Sequence, residues 1–201
     1  MIATGADVGS SFEECLIVYE KNADKVPMEV LGVAEKITGA IFHEIDVAVH
    51  WSRDPHQRPK GSCIAVGLQF DEVSNVRSGP DAMGYALPYS KGCLQVYILI
   101  QRVLQCRFAC LYSGTKMREG ALLGHVMAHE IGHVLQGVVR HSEEGVMKTN
   151  WTSEEVLRMV TRRLSFTSSD ADLIRLSSFV KRKIATPDSY SDAQAPDKRS
   201  P

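Results

Sequence analysis

The hydrophobic pattern changes period along the chain, and each change predicts an element. Glu14-Cys15-Leu16-Ile17-Val18-Tyr19 is a β-prone run and predicts a first strand. Pro27 then opens a helix, because proline suits the first helical turn. Leu31, Ala34, Ile37, Ile41 and Phe42 recur at helical steps and form its expected buried stripe. Ile45, Val47, Val49 and Trp51 alternate with other residues, which predicts a second strand with these four on one face. Residues 62–70 read as a third strand. The stretches 52–61 and 71–81 are rich in Asp, Pro, Gly, Ser and Arg and read as loops. Met83 to Pro88 is short and ends in proline, which cannot donate a ladder hydrogen bond, so an edge strand is expected there. Leu94 to Ile98 is a fifth strand, and a helix is expected from Leu99 to Leu111.

Two longer helical patterns follow. Leu122, Leu123, Val126, Met127, Ile131, Val134 and Leu135 recur at three- and four-residue steps, as in a helix with one face in a core. Gly137 is a natural stop, since glycine takes the left-handed conformation without a steric penalty. A final helix is expected over 166–184, with Leu173, Leu176, Phe179 and Val180 on its apolar side. Strands first, a helix interposed and helices afterwards predict an α+β domain built on one twisted, mixed sheet of about five strands.

The first long helix carries the chemistry. His129-Glu130-Ile131-Gly132-His133 reads H-E-x-x-H. Residues four apart share a helix face, so His129 and His133 can offer two imidazole nitrogens to one metal ion. Glu130, one step around, can hold or deprotonate water at that metal. His141 follows Gly137 by four residues, where a returning chain could supply a third ligand. Glu143 and Glu144 are rivals for that place, and would make a two-histidine, one-carboxylate site. His125, four residues before His129, is another geometric candidate. Only His129 and His133 bracket the glutamate, however, and His125 reads better as a core or supporting histidine. His43, His50 and His56 have no partners in a ligand pattern and read as structural. Gly145-Val146-Met147 then forms a tight turn that would place the Met147 thioether beneath the histidines, with Trp151 packing on the turn.

With these residues the chain resembles the metzincin clan of zinc metalloproteases. That clan is marked by H-E-x-x-H-x-x-G-x-x-H and a turn containing Met. The spacing here is H-E-x-x-H-x-x-x-G-x-x-x-H, longer by one residue before the glycine and one after it. It is similar to small bacterial metzincin-like proteins with this longer spacing and a Gly-x-Met turn. The resemblance implies a zincin-like catalytic domain with His129, His133 and His141 on Zn2+, Glu130 as general base and Met147 in the Met-turn. The implied function is a zinc-dependent metallopeptidase, most simply an endopeptidase, that hydrolyses peptide bonds with zinc-bound water activated by Glu130. The alternative is a non-proteolytic zinc-binding module that retains the site. Peptide or protein substrate would lie extended along the edge strand at 83–88.

Composition narrows this little. A chain of 201 residues, 44% hydrophobic and 23% charged, fits a single soluble globular domain. Residues 1–10 and 186–201 are expected to be disordered, leaving 11–185 as the catalytic domain. A net charge of −1 gives no reason to expect a nucleic-acid partner. The basic run Lys181-Arg182-Lys183 reads as a helix C-terminal cap. No run is long enough to span a membrane, and the N-terminus lacks the charged and apolar regions of a secretory signal, though an exported form stays open. Cysteines at 15, 63, 93, 106 and 110 are odd in number and lack a C-x-x-C. They read mainly as buried free thiols, with one or two disulfides if the protein is exported.

Overall fold

The computed structural model describes residues 14–54, 56–57, 63–72, 82–88, 94–106 and 115–184, with side chains described up to residue 177 and from residue 116 of the long helix. The expected disordered ends at 1–10 and 186–201 lie outside the described residues. So do Cys93, Cys110, most of the second loop and the side chains of Phe179, Val180 and Lys181 to Lys183.

Five strands form one sheet: β1 (Glu14–Lys21), β2 (Val47–Ser52), β3 (Ile64–Asp71), β4 (Gly84–Leu87) and β5 (Leu94–Leu99), in the order β2-β1-β3-β5-β4. The first three pairings are parallel, and β4 joins β5 antiparallel at one edge. The domain is therefore α+β with a mixed sheet, as its element order predicts. Alternation puts one face of β1, β3 and β5 into the core. Val18 stands opposite Val66, Leu68 opposite Val96, and Phe70 opposite Ile98, and all six are fully buried.

That face is covered by α1 (Met28–His43) and the long α3 (Thr115–Gln136); α2 (Ile100–Leu104), α4 (Ser153–Arg158) and α5 (Ser168–Ile184) are the other α-helices among the described residues. Two glycines one turn apart let α1 and α3 meet closely. A Cβ on Gly120 would lie 2.6 Å from the Val33 side chain, and one on Gly124 2.9 Å from the Ala34 carbonyl. Thr38 Oγ1 donates to the Gly124 carbonyl at 2.9 Å across the same contact. Gly120 through Gln136 are buried without a break, so α3 runs through the interior rather than along its surface.

Several expectations change. Pro27 takes the cap position just before α1, and β2 begins at Val47 because Asp46 turns the chain with φ 61°. Helix α2 stops at Leu104, well short of Leu111, and residues 107–114 lie outside the described residues. The short helix α4 was not expected; a Thr152/Glu155 capping box starts it. The apolar side of α5 is Ala171 and Ile174, while Leu176 is 67% exposed. Asp170 at the start of α5 is drawn into the interior by hydrogen bonds, which turns Leu176 outward.

The reading of free thiols is corrected as well. Cys15 and Cys63 are disulfide-bonded, tying the start of β1 to the residue before β3. Cys106 is free. The bond spans a sequence separation of 48, and closing such a loop restricts the unfolded chain. Reduction is expected to lower stability by about 2–4 kcal/mol. A denaturant midpoint unchanged by reductant would contradict this.

Candidate metal centre

His125, His129 and His133 stand at four-residue steps on α3 and are all buried. A buried imidazole must find partners for its nitrogens. His125 finds both within the protein. Its Nδ1 donates to the Ala121 carbonyl at 2.7 Å, and its Nε2 accepts from the Leu164 N–H at 3.0 Å. A carbonyl can only accept, so Nδ1 carries the proton and the ring is neutral. Burial pushes its pKa down to about 4. With both nitrogens engaged, His125 joins α3 to the segment before α5 and has no lone pair left for a metal.

His129 differs at one atom. Its Nδ1 donates to the Val146 carbonyl at 2.8 Å, which leaves the Nε2 lone pair free. That lone pair faces His133 Nε2 at 3.0 Å. His133 Nδ1 is buried without a hydrogen-bond partner. The Val138 backbone lies close enough to favour the protonated ring, yet outside hydrogen-bond geometry. Burial pushes His129 down to about 4. Burial and the neighbouring His129 and His141 take His133 to about 3.

His141 completes the cluster. One nitrogen from each of His129, His133 and His141 lies within 4.8 Å of the others, and the three form a group able to hold a metal ion. The ring of His141 lies 5.3 Å from that of His129 and 4.9 Å from that of His133. It is exposed where the other two are buried, and burial lowers its pKa. Among the described residues, neither His125 nor Glu143 nor Glu144 joins the group, and both glutamates are exposed. His43, His50 and His56 are likewise exposed and apart from it.

The donor set fits a metal better than a proton. A proton shared by the two facing Nε2 atoms would leave His133 Nδ1 as a buried acceptor with no donor. A cation takes both lone pairs and lets Nδ1 carry its hydrogen toward Val138. Neutral imidazoles suit zinc among the common divalent ions.

The chain returns to the cluster through two left-handed glycines. Gly137 has φ 71° and its N–H donates to the His133 carbonyl at 3.1 Å, ending α3. Gly145 has φ 75° and lies against the Ser165 carbonyl, where a side chain would not fit. Between them Ser142 N–H donates to the Met147 carbonyl at 2.9 Å, and Val146 N–H to the Ser165 carbonyl at 3.0 Å. Val146 is thereby held so that its own carbonyl meets His129. Met147 is fully buried beneath α3, and a Cβ on Gly132 would lie 2.6 Å from its sulfur. Trp151 Nε1 donates to the Gly145 carbonyl at 3.3 Å, and its ring meets His129 edge-on at 5.7 Å.

Glu130 is 7% exposed and has no cationic partner among the described residues; burial alone pushes its carboxyl up to about 8. Its side chain rests on β4. A Cβ on Gly84 would lie 2.8 Å from Glu130 Cγ and 3.0 Å from Oε1. A cavity of about 790 Å³ is lined by the three histidines, Glu130, Trp151 and residues 82–86. Among the described strands β4 pairs with β5 alone, with Tyr85 stacked on Tyr97 at 4.6 Å.

Sequence reasoning missed Asp170. This fully buried carboxylate accepts from Ser142 Oγ at 2.7 Å, Arg140 at 3.0 Å, Gln136 at 3.3 Å and Thr167 Oγ1 at 2.6 Å. Burial would raise its pKa, but the hydrogen bonds from Thr167, Ser142 and Gln136 together outweigh that and hold it below the usual value. Thr167-x-x-Asp170 is a capping-box spacing, the signal that could have marked this acid.

No helix among the described residues is long and apolar enough to cross a membrane. No protein-family model matches the chain, and no curated protein matches it in sequence. Among solved structures it is similar to the crystal structure of archaemetzincin from Methanopyrus kandleri, with a TM-score of 0.45 and 16% identity over 85% of this chain and 97% of that one.

Proposed function

We propose that this chain is a zinc metallopeptidase in which His129, His133 and His141 hold the ion and Glu130 is the general base. One observation carries the reading. Three neutral imidazoles converge beside a buried carboxylate, without a cationic partner among the described residues, on the wall of a cavity that the edge strand β4 also lines. Three protein ligands leave a tetrahedral ion one open position, the mark of a catalytic rather than a structural site.

Zinc bound there supplies Lewis-acid chemistry, polarising a carbonyl and lowering the pKa of water to about 7. Glu130 takes a proton from water as the water oxygen bonds to the carbonyl carbon, and returns it to the amine as the C–N bond breaks. β4, at the edge of the sheet among the described residues, would pair with an extended peptide backbone and so orient the scissile bond. Gly84 keeps that edge clear for Glu130. Met147 packs under Gly132 and supports the ligand helix.

Zinc per chain, measured by elemental mass spectrometry on wild type and His141→Ala together with turnover of a peptide library, tests this. About one zinc in the wild type and a sharp fall in the variant are expected. Undiminished zinc in the variant would remove His141 from the ligand set. Zinc binding with no turnover of any peptide would favour a binding module.

A further inference from the structure

The third histidine raises a physical problem. His129 and His133 are held by a buried helix, but His141 lies on an exposed segment, eight residues beyond His133. A free segment of that length would lose conformational entropy each time it closed on an ion. The residues on either side of His141 answer the problem. Arg140 donates to Asp170 Oδ1 at 3.0 Å and Ser142 Oγ donates to the same oxygen at 2.7 Å. Gln136, in the last turn of α3, reaches that oxygen at 3.3 Å. The other carboxylate oxygen, Oδ2, is used differently: it accepts from Thr167 N–H at 3.2 Å and Thr167 Oγ1 at 2.6 Å, capping α5.

We infer that Asp170 is the positioning residue for His141, its Oδ1 clamping the ligand segment through Arg140 and Ser142 while its Oδ2 anchors the clamp to α5. The inference rests on the metal-site reading above. Asp170 touches neither the ion nor the substrate. It acts by holding His141 where His129 and His133 already point, so that little order remains to be imposed when metal binds. Groups that orient a ligand from behind typically change metal affinity 10–100-fold when removed.

The two oxygens make the test selective. Zinc affinity would be measured by chelator competition, alongside thermal midpoint, in wild type, in Arg140→Gln/Ser142→Ala and in Thr167→Ala. The double variant leaves the α5 cap intact and is expected to bind zinc about 10–100-fold more weakly with a near-normal metal-free midpoint. Thr167→Ala is expected to lower the midpoint and leave zinc affinity unchanged. Asp170→Asn would combine both effects, but it risks the fold, so the donors carry the test. Wild-type zinc affinity in the double variant would overturn the clamp alone. Equal losses of affinity in the double variant and Thr167→Ala would also overturn it, by making Asp170 a general fold element. A wild type that binds no zinc would overturn the metal site and the clamp together.

Discussion

Glu130→Gln is expected to lower peptide turnover by about 10²–10⁴-fold while leaving zinc content at the wild-type level. Glutamine keeps the length and shape of the side chain, so the close contact of Cγ with Gly84 survives. It cannot accept a proton from water, and the described residues offer no second acid in the cavity lining to replace it. The environment explains why the position is sensitive. Burial pushes the carboxyl up to about 8, so without a nearby cation Glu130 is mostly protonated at neutral pH. With a divalent ion held by His129, His133 and His141, the Glu130 carboxylate would be favoured over its acid and could serve as a base. Turnover and zinc content should therefore be read on the same preparation. Full turnover in the variant would end the assignment of Glu130 as base. Lost zinc would mean that Glu130 supports the metal rather than the proton transfer.

Acid should destabilise the metal-free protein steeply. His125 and His129 have folded pKa values of about 4, and His133 about 3, against an ordinary value of 6.5. The unfolded chain therefore binds more protons than the folded one between pH 6.5 and about 3–4. The stabilising contribution is complete above pH 6.5 and is lost as the pH falls through that window. For His125 the difference corresponds to on the order of 3 kcal/mol, since one pKa unit is about 1.4 kcal/mol. The structural event is specific: a proton on its Nε2 displaces the Leu164 N–H and cuts α3 from the segment leading to α5. Zinc should add stability at pH 7, about 4 kcal/mol at a thousandfold excess over its dissociation constant. That increment should shrink only as the pH approaches about 4, where protons begin to compete for His129 in the folded protein. Urea midpoints from pH 7.5 to 4, with and without zinc, and in His125→Gln, check both parts. A flat pH profile for the metal-free wild type would refute the argument. His125→Gln should show a shallower slope than wild type.

Much of the fold is legible in the sequence because its elements are locally periodic. The alternation from Val47 to Trp51 reflects a face packed on the core, and the three- and four-residue steps from Leu122 to Leu135 mark a helix that proves buried all round. Pro88 marks an edge strand because a central strand needs its N–H. Element ends depart from the periodicity where a turn decides them, as at Asp46, and the capping box at Thr152 starts a short helix that no periodicity marks. Leu176 misled for a related reason. Its spacing from Leu173 fits a helix face, but the polar contacts of Asp170 set the rotation of α5.

By itself, the sequence determined that His129 and His133 share a helix face with Glu130 beside them, because a helix places residues four apart together whatever surrounds it. It also determined the α+β element order and the turn glycines at 137 and 145. Only the tertiary structure decided that His141 closes on that pair while His125 does not. Those outcomes depend on where separate segments meet: Val146 under His129, Leu164 at His125, Asp170 between Arg140 and Ser142. The strand order β2-β1-β3-β5-β4 and the bond between Cys15 and Cys63 are of the same kind. Local spacing fixes what one helix can offer, whereas a third ligand brought from another segment depends on packing over the whole domain.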